Sequence, residues 1–172
     1  MCYICALLKK GDKVKAKKPI SIILVVPNSI TSKCLYHDAS STQFEYDNHF
    51  ATHITLCYKP NEEQCAYWKS FIGNVVEVEF ESLFYNDDGM AYRVTMPEKI
   101  PYMGDSSPHL TIATKGEIPP SYSNDLMTGK SSIRFQKCGF LTYGAIAHCK
   151  VAALVYTKDG KEYRTSLAGL KM

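Results

Sequence analysis

The 172-residue sequence has no long hydrophobic run, and this excludes a membrane-spanning helix. Its longest apolar stretch, Met1 to Leu8, is eight residues, far below the roughly 20 that cross a bilayer. The stretch also lacks the basic residues and the length of a signal peptide. Neither a Met-Gly start nor a C-terminal prenylation box is present. We therefore expect a cytoplasmic protein with no membrane association.

The excess of positive over negative charge is also small, and the number of cysteines is odd. The net charge of +3 is too small to indicate nucleic-acid binding by itself. Seven cysteines argue against a disulfide framework and fit a reducing compartment. Cys2-x-x-Cys5 could form a zinc site with Cys34 and His37, but a strand over Met1 to Leu8 would point Cys2 and Cys5 to opposite faces. The alternative is buried free thiols, and we expect neither a metal nor a cofactor.

The whole sequence, residues 1–172, fits a single strand-rich domain. The length suits one domain, and the hydrophobic fraction of 45% allows a stable core without disulfides or a structural metal. Periodic or β-branched segments predict strands at 20–26, 53–58, 75–85, 90–96, 109–114, 151–156 and 163–166. Asn61 is a candidate N-cap for a helix that reaches Gly73, and Ser123 to Met127 predicts a short second helix. Six lysines within residues 9–19 form either a solvated loop or an anion-steering patch.

Two four-residue motifs contain the candidate catalytic residues of the sequence. His53-Ile54-Thr55-Leu56 and His109-Leu110-Thr111-Ile112 have the same order of His, apolar, Thr and apolar residues. Side chains alternate along a strand, so the His and Thr of each phrase share one face while the apolar residues point into the core. Two such strands side by side would surround one pocket with two imidazoles and two hydroxyls.

That set of groups is suited to cleaving a phosphodiester. An imidazole has an ordinary pKa near 6.5, so one ring can act as a base while the other acts as an acid. Threonine hydroxyls can donate hydrogen bonds to the phosphoryl oxygens without adding charge, and no metal is needed. His37, His49 and His148 have no Thr or Ser two residues later, and we interpret them as structural.

The paired phrases resemble the signature of the two-histidine (2H, LigT-like) phosphoesterases. Thr52 to Leu56, Leu83 to Asp87 and Pro108 to Thr114 are most similar to the cyclic phosphodiesterase domains of fungal-type tRNA ligases, with stand-alone viral relatives also similar. The resemblance implies an α+β, bilobal fold. Its antiparallel sheets would place the motif strands along a central cleft, with one or two helices outside.

By this resemblance, His53 and His109 are the catalytic acid and base, in an order that the sequence leaves open. Thr55 and Thr111 would bind the substrate phosphate. Candidate substrate contacts follow the two motifs. Solvated lysines or a helix cap would explain the lysine, serine and asparagine candidates at least as well, and partial burial is the favoured explanation for the tyrosines. These candidates are Tyr58, Lys59, Lys115, Tyr122, Ser123 and Asn124. Lys59 and Lys115 each lie six residues after their histidine, so in unbroken strands they would share its face.

Three functions remain open from the sequence. The first is opening of a 2′,3′-cyclic phosphate during RNA end processing, which in the resembling family leaves a 2′-phosphate. The chain has no P-loop for a kinase partner, so it would be an excised domain or a free-standing enzyme. A free-standing monomer suits the second, viral-type degradation of a signalling nucleotide such as cyclic GMP-AMP or 2′-5′ oligoadenylate. The third is a non-catalytic nucleotide- or RNA-binding module.

Overall fold

The computed structural model describes residues 17–40, 42–130, 134–136 and 145–172. Three α-helices, a π-helical segment and a 3-10 turn accompany nine strands in this part of the chain. The strands are β1 Ser21–Val25, β2 Asn48–His49, β3 His53–Tyr58, β4 Val75–Tyr85, β5 Gly89–Thr95, β6 His109–Thr114, β7 Arg134–Gln136, β8 Ala145–Thr157 and β9 Gly160–Arg164. The helical elements are α1 Asn28–Lys33, the π-helical segment Cys34–Ala39, α2 Glu62–Trp68, the 3-10 turn Pro120–Tyr122 and α3 Ser123–Thr128.

Six of the strands form a closed antiparallel ring. Their order is β4-β5-β6-β3-β1-β8, and β8 pairs back with β4. Strands β7, β9 and β2 extend the ring beside β4, β8 and β6 respectively. The α+β class and the antiparallel sheet expected from the sequence are therefore confirmed.

The main hydrophobic core fills the inside of this ring. Alternate residues of every ring strand contribute to it, among them Ile54, Leu110, Val78 and Tyr92, all fully buried. Since side chains alternate across a strand, the residues between them point outward. The His and Thr residues of both motifs occupy these outward positions and are half-buried.

The two motif strands carry matching β-bulges. In β3 the register against β1 skips Leu56, and in β6 the register against β5 skips Ile112. Each skipped residue lies three positions after the motif histidine, and the next residue is also buried. A bulge reverses the face on which later side chains emerge. The two strands are thus related in backbone geometry as well as in sequence.

Among the residues that the structure describes, two smaller apolar clusters cover the outside of the ring, one on each side of the motif strands. On the β4–β5 side, α3 packs Leu126 and Met127 against Phe84 and Ala91. On the β1–β8 side, Ile23, Ala152 and Leu154 form the second cluster. The motif strands β3 and β6, which share the single register pair Ile54–Leu110, lie between these two clusters.

The helices begin and end where local chemistry allows. Asn61 caps α2 through a capping box with Gln64, as the sequence predicts. The helix ends at Trp68 rather than Gly73, because the chain continues in turns in which Phe71 N–H donates to the Trp68 carbonyl. With α1, the described residues contain three α-helices, one more than expected. Ile30 packs the otherwise polar α1 against the core.

Candidate active site

The four motif side chains lie on one outer patch of the ring, where β3 meets β6. Ile54 pairs with Leu110 in antiparallel register. One residue away in each direction, His53 lies opposite Thr111, and Thr55 lies opposite His109. Directly opposite residues have Cβ atoms about 5 Å apart. The structure therefore brings the two predicted pairs together, each histidine facing the threonine of the other motif.

His109 is held by the loop before β6. Its Nδ1 lies 2.8 Å from the Ser107 carbonyl oxygen, which can only accept a hydrogen bond, so Nδ1 carries a proton. The Ser106 hydroxyl lies 3.5 Å from the same nitrogen and donates to the Asn124 side chain at 2.7 Å. A neutral His109 consequently has its lone pair on Nε2, the nitrogen opposite the tethered one. This is the tautomer of a general base.

His53 is held by two hydroxyl groups instead. The Thr52 hydroxyl lies 3.0 Å from His53 Nδ1, and the Tyr163 hydroxyl lies 3.4 Å from it. The Tyr163 ring also meets the imidazole edge-on, at 5.9 Å between centroids. Because hydroxyls can donate or accept, these contacts are compatible with a proton on Nε2. The two histidines thus have chemically different partners.

Burial keeps both imidazoles neutral. It lowers the pKa of His53 from 6.5 to about 4, and the positive charge of Lys161 contributes in the same direction. Burial also lowers the pKa of His109, while the hydrogen bond to the Ser107 carbonyl opposes that shift. An anionic phosphate bound between the rings would favour their charged forms and raise both pKa values.

The two threonines differ in their freedom to bind a ligand. In the described ranges the Thr55 hydroxyl has no hydrogen-bond partner, so it is available to a phosphoryl oxygen. The Thr111 hydroxyl makes one long contact of 3.5 Å to the Pro120 carbonyl. Both hydroxyls can donate to an oxyanion between the histidines.

The bulges change the expected role of the residues after each motif. Lys59 and Lys115 were expected on the histidine face by strand parity. The bulge in β3 instead brings exposed Tyr58 onto the outer face with Thr55, opposite Ser21 in β1. The Lys59 ammonium lies 5.2 Å from the Tyr58 ring centroid. Lys115 forms an ion pair with Asp87 at 3.8 Å.

The three candidates near α3 lie on the His109 side of the patch. Tyr122 is half-buried, and its hydroxyl accepts a hydrogen bond from the Asn86 amide at 2.8 Å. Ser123 is 1% exposed, and its hydroxyl has no partner within the described ranges. Asn124 reaches His109 indirectly, through Ser106. The Asn124 side chain therefore contacts the loop that holds His109, and no side chain among the described residues caps the start of α3.

Sequence reasoning missed the residues that hold the imidazoles. Ser107 acts through its backbone carbonyl, for which no side-chain pattern exists. Thr52 precedes the first motif directly and could have been noticed as a neighbouring hydroxyl. Tyr163 is 110 residues from His53 along the chain, and only the pairing of β9 with β8 brings it close.

Metal ligands are not clustered in the described ranges. No group of three or more His, Cys, Asp or Glu side chains there could hold a metal ion. Cys34, Cys57, Cys65 and Cys149 are buried free thiols. Cys2, Cys5 and most of the basic segment 9–19 lie outside the described residues.

The structure is thus an α+β antiparallel domain with two His and two Thr side chains on one outer patch. A family described as the fungal tRNA ligase phosphodiesterase domain matches residues 30–142. The chain belongs to this family, which confirms the resemblance found in the sequence and indicates cyclic phosphodiesterase activity. No curated protein matches the chain. No helix in the described part of the chain is long and apolar enough to cross a membrane.

Proposed function

We propose that this chain is a 2H-type phosphodiesterase that opens a 2′,3′-cyclic phosphate on RNA or a nucleotide. The observation that carries the proposal is the facing arrangement of His53 with Thr111 and His109 with Thr55 on one half-buried patch. The family match supports the cyclic phosphate as substrate, because both motifs lie within residues 30–142.

In this mechanism His109 is the general base. Its Nδ1–H is engaged by the Ser107 carbonyl, so Nε2 can accept a proton from water. The water oxygen then bonds to phosphorus, and the hydrogen bond to Ser107 stabilises the imidazolium that forms. A base with its opposite nitrogen already donating to a fixed acceptor needs no tautomer change during the reaction.

His53 is the general acid that completes the step. As the bond from phosphorus to one ribose oxygen breaks, the proton on His53 Nε2 passes to that oxygen, leaving a phosphomonoester and a free hydroxyl. With a pKa of about 4 in the unliganded site, the ring is protonated efficiently only when the anionic phosphate lies beside it. Substrate binding thereby prepares the acid.

Thr55 and Thr111 hold the phosphoryl oxygens between the two rings. Their hydroxyls donate to the charge that builds up on phosphorus oxygens in the transition state. The two outer clusters on either side of the patch would be the lobes of the expected bilobal fold, with the substrate lying between them.

A panel assay with chelator present tests this function. We expect turnover of nucleoside 2′,3′-cyclic phosphates and 2′,3′-cyclic-phosphate RNA ends without added metal. His53→Ala and His109→Ala should each lower kcat by about 10²–10⁴-fold. His49→Ala, at an exposed position of β2, is the matched control and should keep wild-type activity.

The other outcomes identify competing functions. If the protein hydrolyses cyclic GMP-AMP or 2′-5′ oligoadenylate but not 2′,3′-cyclic phosphates, its substrate is a signalling nucleotide and not the one we propose. Binding without turnover of any member would indicate a non-catalytic module. Near-full activity in either histidine variant, with folding intact, would refute the two-histidine mechanism.

A further inference from the structure

The C-terminal strand β9 brings a tyrosine to the active site from outside the family-matched residues 30–142. Tyr163 is 40% exposed, so it contributes little to the core. Its ring nevertheless meets His53 edge-on, and its hydroxyl lies 3.0 Å from the Thr52 hydroxyl. The Thr52 hydroxyl in turn lies 3.0 Å from His53 Nδ1. A chain of two hydroxyls therefore ends on the imidazole.

The direction of this chain follows from the acidity of its members. A phenol is a better hydrogen-bond donor than an aliphatic alcohol. Tyr163 therefore donates its single proton to Thr52 Oγ, the nearer of its two partners. Accepting this proton polarises the Thr52 O–H bond, so Thr52 becomes a better donor to His53 Nδ1 and a poorer acceptor from it. The imidazole then accepts at Nδ1 and carries its proton on Nε2.

We propose that Tyr163 is a positioning residue that, through Thr52, holds His53 in the tautomer with its proton on Nε2. This inference rests on the proposed function, in which Nε2 of His53 delivers a proton to the leaving oxygen. Without the Tyr163 hydroxyl, Thr52 loses this polarisation and accepts more readily from an Nδ1–H. The ring would then populate the opposite tautomer and place a lone pair toward the substrate.

The pairing complements the arrangement at His109. There a carbonyl fixes the proton on Nδ1 and leaves Nε2 bare. At His53 the two hydroxyls place the proton on Nε2 and leave Nδ1 without one. Opposite tautomers give the resting enzyme one bare nitrogen and one protonated nitrogen across the patch. When bound phosphate raises the pKa of His53, the second proton is taken up on Nδ1, the Thr52 hydroxyl turns to accept a hydrogen bond from it, and the charged ring donates from Nε2.

Nuclear magnetic resonance of the imidazole nitrogens in the substrate-free protein tests the inference directly. We expect the Nε2–H tautomer of His53 in the wild type and a substantial Nδ1–H population in Tyr163→Phe, which keeps the ring but lacks the hydroxyl. Tyr156→Phe is the matched control, since Tyr156 is 63% exposed on the same hairpin. It should leave the tautomer unchanged.

Kinetics provide the second readout. Tyr163→Phe should lower kcat about tenfold with little change in KM, the effect of one lost orienting hydrogen bond. Thr52→Val should cause a similar loss, and Thr52→Ser should restore activity. Because both residues act through one chain, combining Thr52→Val with Tyr163→Phe should cost no more than either change alone.

Two results separate failure of the inference from failure of the proposed function. If Tyr163→Phe leaves both the His53 tautomer and kcat at wild-type values while His53→Ala is inactive, the positioning role is wrong and the two-histidine mechanism stands. If His53→Ala is itself fully active, the proposed function is wrong. The tautomer measurement then still reports whether Tyr163 orients the ring.

Discussion

Acid lability of the fold should depend on His53. The pKa of its ring is about 4 in the folded protein, against 6.5 for the ordinary side chain. Between these two values the unfolded chain binds a proton that the folded chain does not. The contribution of the neutral ring to stability is therefore complete above pH 6.5 and is lost as the pH falls toward 4.

The size of the loss follows from that shift. From pH 7 to pH 4.5 the two pKa values correspond to about 2 kcal/mol of unfolding free energy. Because the half-buried ring keeps some contact with solvent, we expect about 1–2 kcal/mol. His53→Asn removes the titration, so the variant should lose that much less stability than the wild type over the same interval. His109, whose pKa is also lowered, will leave a residual pH dependence.

Urea denaturation at pH 7 and pH 4.5 measures this difference. Trp68, the single tryptophan of the chain, is fully buried and reports unfolding by its fluorescence. His49→Asn, at an exposed site, should behave as the wild type. Equal losses of stability in wild type and His53→Asn would show that burial does not lower the pKa of His53, and would refute the reasoning.

Two further predictions concern rate and local structure. The pKa values of both histidines are lowered in the free enzyme. We therefore expect kcat/KM to peak below pH 6.5 and, above the peak, to approach a tenfold decrease per pH unit. A maximum above pH 7 in a pH–rate profile would contradict this. Asn61→Ala removes the α2 capping box and should cost about 1 kcal/mol in urea unfolding, whereas Asn61→Ser, which keeps a capping oxygen, should cost much less; equal costs would argue against the cap.

The sequence was sufficient for the elements with strong local patterns. Strands β3, β4 and β6 have the predicted bounds, because each segment by itself shows the alternation of apolar and polar residues that is typical of a strand. The capping box of Asn61 is likewise local. Helix α1 was not predicted because residues 28–33 are mostly polar. It is stabilised by packing of Ile30 against a core that only the folded chain assembles.

Strand parity applies only where the backbone keeps regular geometry, and Lys59 lies just beyond β3 with a φ of 48°. The expectation that Lys59 shares the face of His53 assumes an unbroken strand, and the bulge at Leu56 reverses the side from which later residues emerge. Tyr58 takes the outward position instead. Bulges depend on pairing with a second strand, so a single segment of sequence does not reveal them.

The sequence by itself determined which residues form the candidate site, since the alternation of side chains along a strand requires the His and Thr of each His-x-Thr motif to share a face. Only the tertiary structure decided how the two halves differ. The Ser107 carbonyl at His109 and the Thr52–Tyr163 hydroxyl pair at His53 are backbone and long-range partners. In the mechanism we propose, the two motifs of the same pattern acquire different tautomers, because the proton on an imidazole is placed by whatever the folded chain brings to its other nitrogen.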